Sequence, residues 1–388
     1  MNNELSSFAT RLRELILNFQ SPISDGQFSE LAMELFSLQF KHNPAYQKIC
    51  SARDLTPQTV GNWTQIPFVP TAAFKELELS SIQPAERTAV FHSSGTTEQK
   101  PSRHYHCAES LAVYETSLSV GFFENVWKDL PMTNDDLRAN GKSAIGNRQS
   151  VIFLTPPPSQ APHSSLVHMF ETVRQKCGAP ATAFLGKLEN NGAWTLDFDG
   201  VVAAVSPSAA SPEPRAIYLL GTAFSFVHLL DHLAEKDLRL TLPQISRVME
   251  TGGYKNRSRS LQKSELHALI SERLGIPREN IICEYSMSEL SSQAYDTPRP
   301  APHAPRRFHF PPWSRAQIIS PETGLEVADG ETGIIRVLDL ANVFSVAAIQ
   351  AEDLGIRRGD GFELAGREQS SEPRGCSLMT APIQSRQP

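Results

Sequence analysis

No apolar run in this 388-residue chain approaches the roughly 18–20 residues needed to span a bilayer. Met1-Asn2-Asn3-Glu4 does not begin a signal peptide. Cysteine is scarce: Cys50, Cys107, Cys177, Cys283 and Cys376 are scattered, odd in number, and form no C-x-x-C. That pattern argues against a disulfide framework or a zinc knuckle and fits a reducing cytoplasm. Basic excess is missing too. The chain has 36 Lys+Arg against 42 Asp+Glu, a net charge of −6, which argues against a nucleic-acid partner. No internal repeat is visible. What remains is an ordinary globular composition, 40% hydrophobic and 20% charged, of a length that suits two domains or one large α/β domain.

The stretch FHSSGTTEQKPSRHYH, residues 91–106, is short of core-forming side chains and rich in hydroxyls and backbone N–H groups. Such donors can surround a phosphate. It is not the usual phosphate loop, because Gly95 is followed by Thr96-Thr97-Glu98-Gln99-Lys100 with no second glycine before the lysine. Taken alone, it reads equally well as a Ser/Thr-rich turn after a strand.

Along the chain, residues 4–50 read as helices, with Leu12, Leu15, Ile16 and Phe19 and then Phe28, Leu31, Leu35 and Phe36 at helical spacing. WTQIPFVPTAAFKEL gives a proline-punctuated turn before a short helix. RTAVFHSS reads as a strand entering the hydroxyl loop, and residues 128–150 as a surface excursion. Strands SVIFLTPPP, RAIYLLG, ISRVMETGG and NIICEYS then alternate with helices, which predicts crossover units on a largely parallel sheet. Ligands of such a sheet gather on loops at the carboxyl ends of its strands. Six prolines in residues 297–313 exclude a helix or central strand there, and GIIRVLDL and GDGFELAGRE read as β-structure.

Four loops fall at these strand ends: residues 93–102, Thr251-Gly252-Gly253-Tyr254, Glu284-Tyr285-Ser286-Met287-Ser288-Glu289, and Ala351-Glu352-Asp353-Leu354-Gly355 followed by Gly366-Arg367. Their order resembles the adenylate-forming ligases, the acyl-CoA synthetase and luciferase superfamily. NPAYQKIC, IPFVPTAAFKE, HSSGTT, EYSMSELSSQAY, DLANVFSVAAIQAEDLG, DGFELAGR and EPRGCSL together resemble the acyl-protein synthetase (LuxE) family from residue 43 to 378. Any one of these motifs is weak; seven in order are specific.

The resemblance implies an α/β fold with largely parallel sheets flanked by helices, a small β-rich C-terminal part, and no further lid domain. It implies ATP and Mg²⁺ as cofactors and a carboxylic acid, a long-chain fatty acid in the family, as substrate. Ser93, Ser94, Gly95, Thr96 and Thr97 would wrap the β,γ-phosphates, with Lys100 as counter-charge. Glu289, with Ser288 beside it, would hold Mg²⁺, which takes oxygen ligands. Taken alone, Glu289 reads as an exposed carboxylate at a helix start. Gly252 and Gly253 suit close approach of a flat base, with Tyr254 or Tyr285 stacking on it. Asp353 would accept the ribose hydroxyls, and Arg367 would approach the ribose or pair with an acid. In EPRGCSL, Cys376 would accept the acyl group as a thioester, its thiolate favoured by Arg374.

The superfamily's C-terminal lysine has no counterpart here, since 21 residues follow Arg367. His228 and His232 stand four apart on a helix but lack the adjacent glutamate of a zinc protease, and HYH at 104–106 reads as packing. The expected division is a helical part over 1–85, an α/β core over 86–296, and a proline-rich, β-rich part with the tail over 297–388. The expected partner is an acyl reductase or a carrier protein, and a homo-oligomer is compatible with the sequence. Two rivals stand beside this reading: a ligase delivering directly to coenzyme A or a carrier protein, and a non-catalytic scaffold for a reductase.

Overall fold

The computed structural model describes residues 3–18, 23–93, 100–127, 149–178, 183–190, 192–206, 215–253, 258–296 and 306–367. The chain opens with helices α1 (Asn3–Leu17), α2 (Asp25–His42) and α3 (Pro44–Ser51). Each start has a local cause. The Ser24 side chain accepts from the Gln27 N–H, and Asn43 accepts from the Tyr46 N–H with Pro44 at the first helical position. A short strand β1 (Val69–Pro70) and helix α4 (Ala73–Glu76) lead to the hairpin of β2 (Ala89–His92) and β3 (Arg103–His106).

Helix α5 (Ala108–Asn125) precedes β4 (Gln149–Phe153), α6 (Ser165–Cys177), the ribbon β5 (Gly186–Leu188) and β6 (Trp194–Leu196), and α7 (Phe198–Val205). The alternation expected from the sequence follows: β7 (Ala216–Thr222), α8 (Ala223–Glu235), β8 (Arg247–Thr251), α9 (Lys263–Leu274), β9 (Ile281–Tyr285) and the short β10 (Ala294–Tyr295). Strands β4, β7, β8 and β9 pair in parallel, and β10 closes the edge antiparallel. All seven residues of β7 are buried, as a central parallel strand covered on both faces requires.

Strand alternation sorts this sheet's two faces. Met249 and Ile282 join Tyr114, Leu118 and Phe122 of α5 in one core. Their neighbours Val248 and Ile281 join Phe226 and Leu230 of α8 and Leu266 and Ile270 of α9 in another. The remaining strands, β11 (Ser314–Ile319), β12 (Thr332–Asp339), β13 (Ala348–Arg358) and β14 (Gly361–Arg367), form a second, mostly antiparallel sheet. Val69 of β1 pairs with Ile349 of β13, so the N-terminal segment supplies a strand to this sheet. The helices α1 to α3 share their core with it, Phe28, Leu35 and Tyr46 lying in one cluster with Ile335, Val337 and Ile349.

Two readings need correcting. Asp353 lies inside the eleven-residue β13 rather than on a loop at a strand end. The β12 ladder skips Ala351-Glu352-Asp353, passing from the Gln350–Arg336 pair to the Leu354–Ile334 pair, while β14 begins its pairing at Asp353, with a register shift after Leu354. Nor is Glu289 exposed or on a helix. It is 4% accessible and sits in a turn between β9 and β10. Most of the 128–150 excursion lies outside the described residues. Among the described residues, no helix is long and apolar enough to cross a membrane.

Candidate active site

The base of the hydroxyl loop is closed by its own serines. The Ser93 N–H donates to the Ser102 carbonyl at 3.4 Å, and the Ser102 N–H donates to Ser93 Oγ at 3.0 Å. Ser94, Gly95, Thr96 and Thr97 lie outside the described residues. From this base the contacts run directly to the turn after β9. Ser102 Oγ is 3.4 Å from Ser288 Oγ, His104 Nδ1 is 3.0 Å from the Ser288 carbonyl, and Ser288 Oγ donates to Glu289 Oε2 at 3.0 Å. Burial pushes the His104 imidazole down to about 4, so it is neutral there. Lys100, at the loop's far end, is exposed and ion-paired with Glu76 of α4 at 3.6 Å.

Glu289 is a buried carboxyl with a second acid near it. Burial pushes its carboxyl above the usual range, the Ser102 and Ser288 hydroxyls oppose this, and the nearby Glu352 carboxylate raises it further. The next residues are held by a different acid. Asp339, at the end of β12, accepts from the N–H groups of Ser291 (2.9 Å), Ser292 (2.8 Å) and Ala341 (3.0 Å) and from Ser292 Oγ (2.7 Å). Asn342 Nδ2 donates to the Glu289 carbonyl at 2.8 Å, and Gln39 of α2 donates to the Asn342 carbonyl at 2.7 Å.

A second convergence forms where β9 meets the antiparallel sheet. The Tyr285 hydroxyl donates to Asp353 Oδ2 at 3.0 Å, and the backbone of Asp353 lies in register with that of Arg367 across β13 and β14. The Tyr285 ring is held edge-on by Phe308 (6.0 Å) and Phe362 (5.6 Å). Gly252, at the end of β8, has φ +70°, a conformation open to glycine, and nothing crowds either Gly252 or Gly253 within 4 Å. Tyr254 lies outside the described residues, as do Arg374 and Cys376.

Three further polar groups were not singled out from the sequence. Glu284 is 1% accessible, and one of its oxygens accepts from the Thr251 hydroxyl. Burial raises it to about 7, with Thr251 and Ser286 opposing and Glu250 adding to the rise. Lys263 of α9 pairs with the fully buried Asp296 and lies 4.4 Å from the Phe308 ring centre. It lines a cavity of about 390 Å³ with Arg278, Arg306, Phe308 and Leu364, one ring away from Tyr285. The signal available in the sequence was a polar residue interrupting an apolar run, as Glu284 does in Ile281-Ile282-Cys283-Glu284. His232 stacks on Phe198 at 4.3 Å, His228 lies 6.1 Å from Phe224, and among the described residues no His/Cys/Asp/Glu group could hold a metal by three or more ligands.

A parallel sheet with its helices, beside a second, mostly antiparallel sheet, is the fold of the adenylate-forming ligases. It matches 2-hydroxyisobutyryl-CoA ligase in complex with 2-HIB-AMP and CoA over 88% of this chain and 74% of that one, at TM-score 0.60 and 11% identity. The same enzyme in the postadenylation state with 2-HIB-AMP matches at TM-score 0.61 and 12% identity, over 88% and 67%. Within that fold the chain belongs to the acyl-protein synthetase, LuxE, family, whose profile matches residues 161–382. A long-chain-fatty-acid–luciferin-component ligase of Aliivibrio fischeri is 23% identical over 397 residues, covering 97% of this chain and 92% of that protein. One of Vibrio harveyi is 21% identical over 359 residues, covering 90% and 86%.

Proposed function

We propose that this chain is an ATP-dependent ligase that activates a long-chain carboxylic acid as its acyl-adenylate and passes the acyl group through Cys376 to a partner. The observation that carries this reading is the contact of Ser102 with Ser288, which sets the base of the hydroxyl loop against the turn bearing Glu289. A donor loop beside a buried carboxylate suits a nucleotide polyphosphate and its cation. A carboxylate oxygen of the acid attacks the α-phosphorus of ATP, forming the mixed anhydride as the bond to pyrophosphate breaks. Two anions meet in that step, so stabilising charge governs the barrier. Backbone N–H groups and hydroxyls of residues 93–97 hold the departing phosphates.

Glu289 fits Mg²⁺: its carboxyl is buried, is pushed up by burial and by Glu352, and lies beside two hydroxyls. When bound, the ion neutralises phosphate charge. Asp353 takes the ribose hydroxyls, already oriented by Tyr285. Gly252 and Gly253 leave room for the base, and the cavity beside Phe308 extends that wall.

The second half-reaction is the attack of the Cys376 thiolate on the acyl carbonyl, with AMP leaving. Cys376 stands nine positions after Arg367, within an extended reach of about 30 Å. Splitting one acylation into two steps is covalent catalysis. An acyl reductase or a carrier thiol then takes the acyl group.

Acid-dependent ATP–pyrophosphate exchange across a panel of carboxylic acids tests the first half, with the strongest signal expected for long chains. Intact mass after incubation with acid, ATP and Mg²⁺ tests the second. The wild type should carry a hydroxylamine-labile acyl adduct, and Cys376→Ser should keep exchange while losing the adduct. Arg374→Ala should slow the transfer less severely, through a higher thiol pKa. Exchange without any adduct in the wild type would favour direct delivery to an external thiol. Absence of exchange with every acid would leave the scaffold reading.

A further inference from the structure

Glu284 has no part in the reaction just described, yet it is a buried carboxylate at the carboxyl end of the parallel sheet. Alternation along β9 sends it to the opposite face from Tyr285. Ile282, of the same parity, packs with α5 residues, while Cys283 and Tyr285 join the core shared with the antiparallel sheet. On its own face Glu284 meets Thr251, the last residue of β8 and the one directly before Gly252. The two are also register partners across β8 and β9. The hydrogen bond therefore ties together, from behind, the two strand ends that carry Gly252-Gly253 and Tyr285.

Besides Thr251, the Ser286 hydroxyl supports the Glu284 carboxylate. Its second oxygen, Oε1, is buried without a hydrogen-bond partner, and so is the hydroxyl of Tyr295 of β10. Tyr114 of α5 and Tyr295 both lie close enough for the Glu284 charge to push their phenols up, and the Glu250 carboxylate of β8 raises Glu284 in turn. Among the described residues, no cation shifts Glu284. The Thr251 and Ser286 hydroxyls are the groups that favour its ionised form.

We propose that Glu284 is a positioning residue that, through Thr251, sets the Gly252-Gly253 loop against the nucleotide base. The proposal rests on the reading of that loop as the nucleotide site. An ionised carboxylate accepts a hydrogen bond more strongly than a protonated one. The tie is then firm when Glu284 is ionised and slack when it carries a proton. Since burial brings Glu284 to about 7, the change falls near neutral pH. Nucleotide binding should tighten as pH rises through that range.

The test is the affinity of the full chain for ATP with Mg²⁺, by calorimetry from pH 6 to 8.5, in the wild type, Glu284→Gln and Thr251→Val. Comparing variants at each pH cancels the titration of ATP itself. The wild type should gain about fivefold in affinity over Glu284→Gln between the two ends of the range. Glu284→Gln keeps the shape and an acceptor but cannot ionise, so it should stay at the acidic value of the wild type. Thr251→Val should be equally weak with Glu284 still in place, because the effect passes through the hydroxyl. Parallel pH profiles for wild type and Glu284→Gln would overturn the proposal while leaving the nucleotide site intact. No ATP binding at any pH would overturn the site reading itself, and the proposal with it. Near-equal melting temperatures of the variants at pH 6 would show that loss of fold is not the cause.

Discussion

Two buried carboxylates lie within a few ångströms of the same turn and have been completed very differently. Asp339 is fully buried and accepts four hydrogen bonds, three from backbone N–H groups and one from Ser292 Oγ. Glu289 is almost as deep, but it has hydroxyls on one side and the Glu352 carboxylate on the other. A buried polar group is tolerated when its hydrogen bonds are made, and a buried charge when it is paired. By that measure Asp339 is finished as a structural clamp, tying Ser291-Ser292 to β12. Glu289 is held instead by the Ser102 and Ser288 hydroxyls and one backbone group, and we propose that it also receives a cation. Burial raises both carboxyls, Asp339 to about 6, so burial alone does not tell a structural clamp from a site.

Asp339→Asn should break the clamp and give the largest effect on stability. The amide places an NH₂ group against N–H donors, so unfolding free energy should fall by about 3 kcal/mol in urea titrations. A loss below about 0.5 kcal/mol would mean that the clamp is dispensable, and the contrast with Glu289 would lose its structural half.

The next largest effect concerns pH. The folded-state pKa of Glu284 is raised from 4.5 to about 7, chiefly by burial. A raised pKa gives stability that is fully present below the unfolded value and is lost as pH rises through the folded one. The wild type should therefore lose about 2–4 kcal/mol relative to Glu284→Gln between pH 4.5 and 8. Denaturant midpoints at several pH values read this directly. A constant difference would mean that Glu284 is ionised throughout.

Asp353 differs from both buried acids, being half-buried and hydrogen-bonded to Tyr285. Asp353→Ala should weaken ATP binding by about 1.5–3 kcal/mol, the usual worth of hydrogen bonds to a charged group. Unchanged ATP affinity would mean that the ribose is held elsewhere.

The same contrast explains what the sequence discloses. Strand β7 is a nearly continuous apolar run and β8 and β9 carry apolar cores of two or three residues, because both faces are covered, and such runs are legible one element at a time. So was the grouping of loops at their carboxyl ends. Strand β13 was not, because its polar Ala351-Glu352-Asp353 stretch bulges off the β12 ladder and the strand is continued by pairing with β14 from Asp353 onward. The role of Asp339 also depends on a distant segment, since its donors Ser291 and Ser292 lie 48 and 47 residues away. Glu284 was hidden by its neighbour. Tyr285 carries the motif, and strand alternation turns Glu284 to the opposite face, where its partner lies 33 residues earlier.

The proposed function rests on Glu289 holding a cation that works on a nucleotide. Its most direct test is acid-dependent ATP–pyrophosphate exchange as a function of Mg²⁺ in the wild type and Glu289→Gln, with unfolding midpoints measured alongside. The account predicts that exchange falls by about 10²–10³ in the variant at limiting Mg²⁺ while the midpoint is unchanged, because the substitution removes charge and keeps size. Near-normal exchange of Glu289→Gln at limiting Mg²⁺ would contradict it.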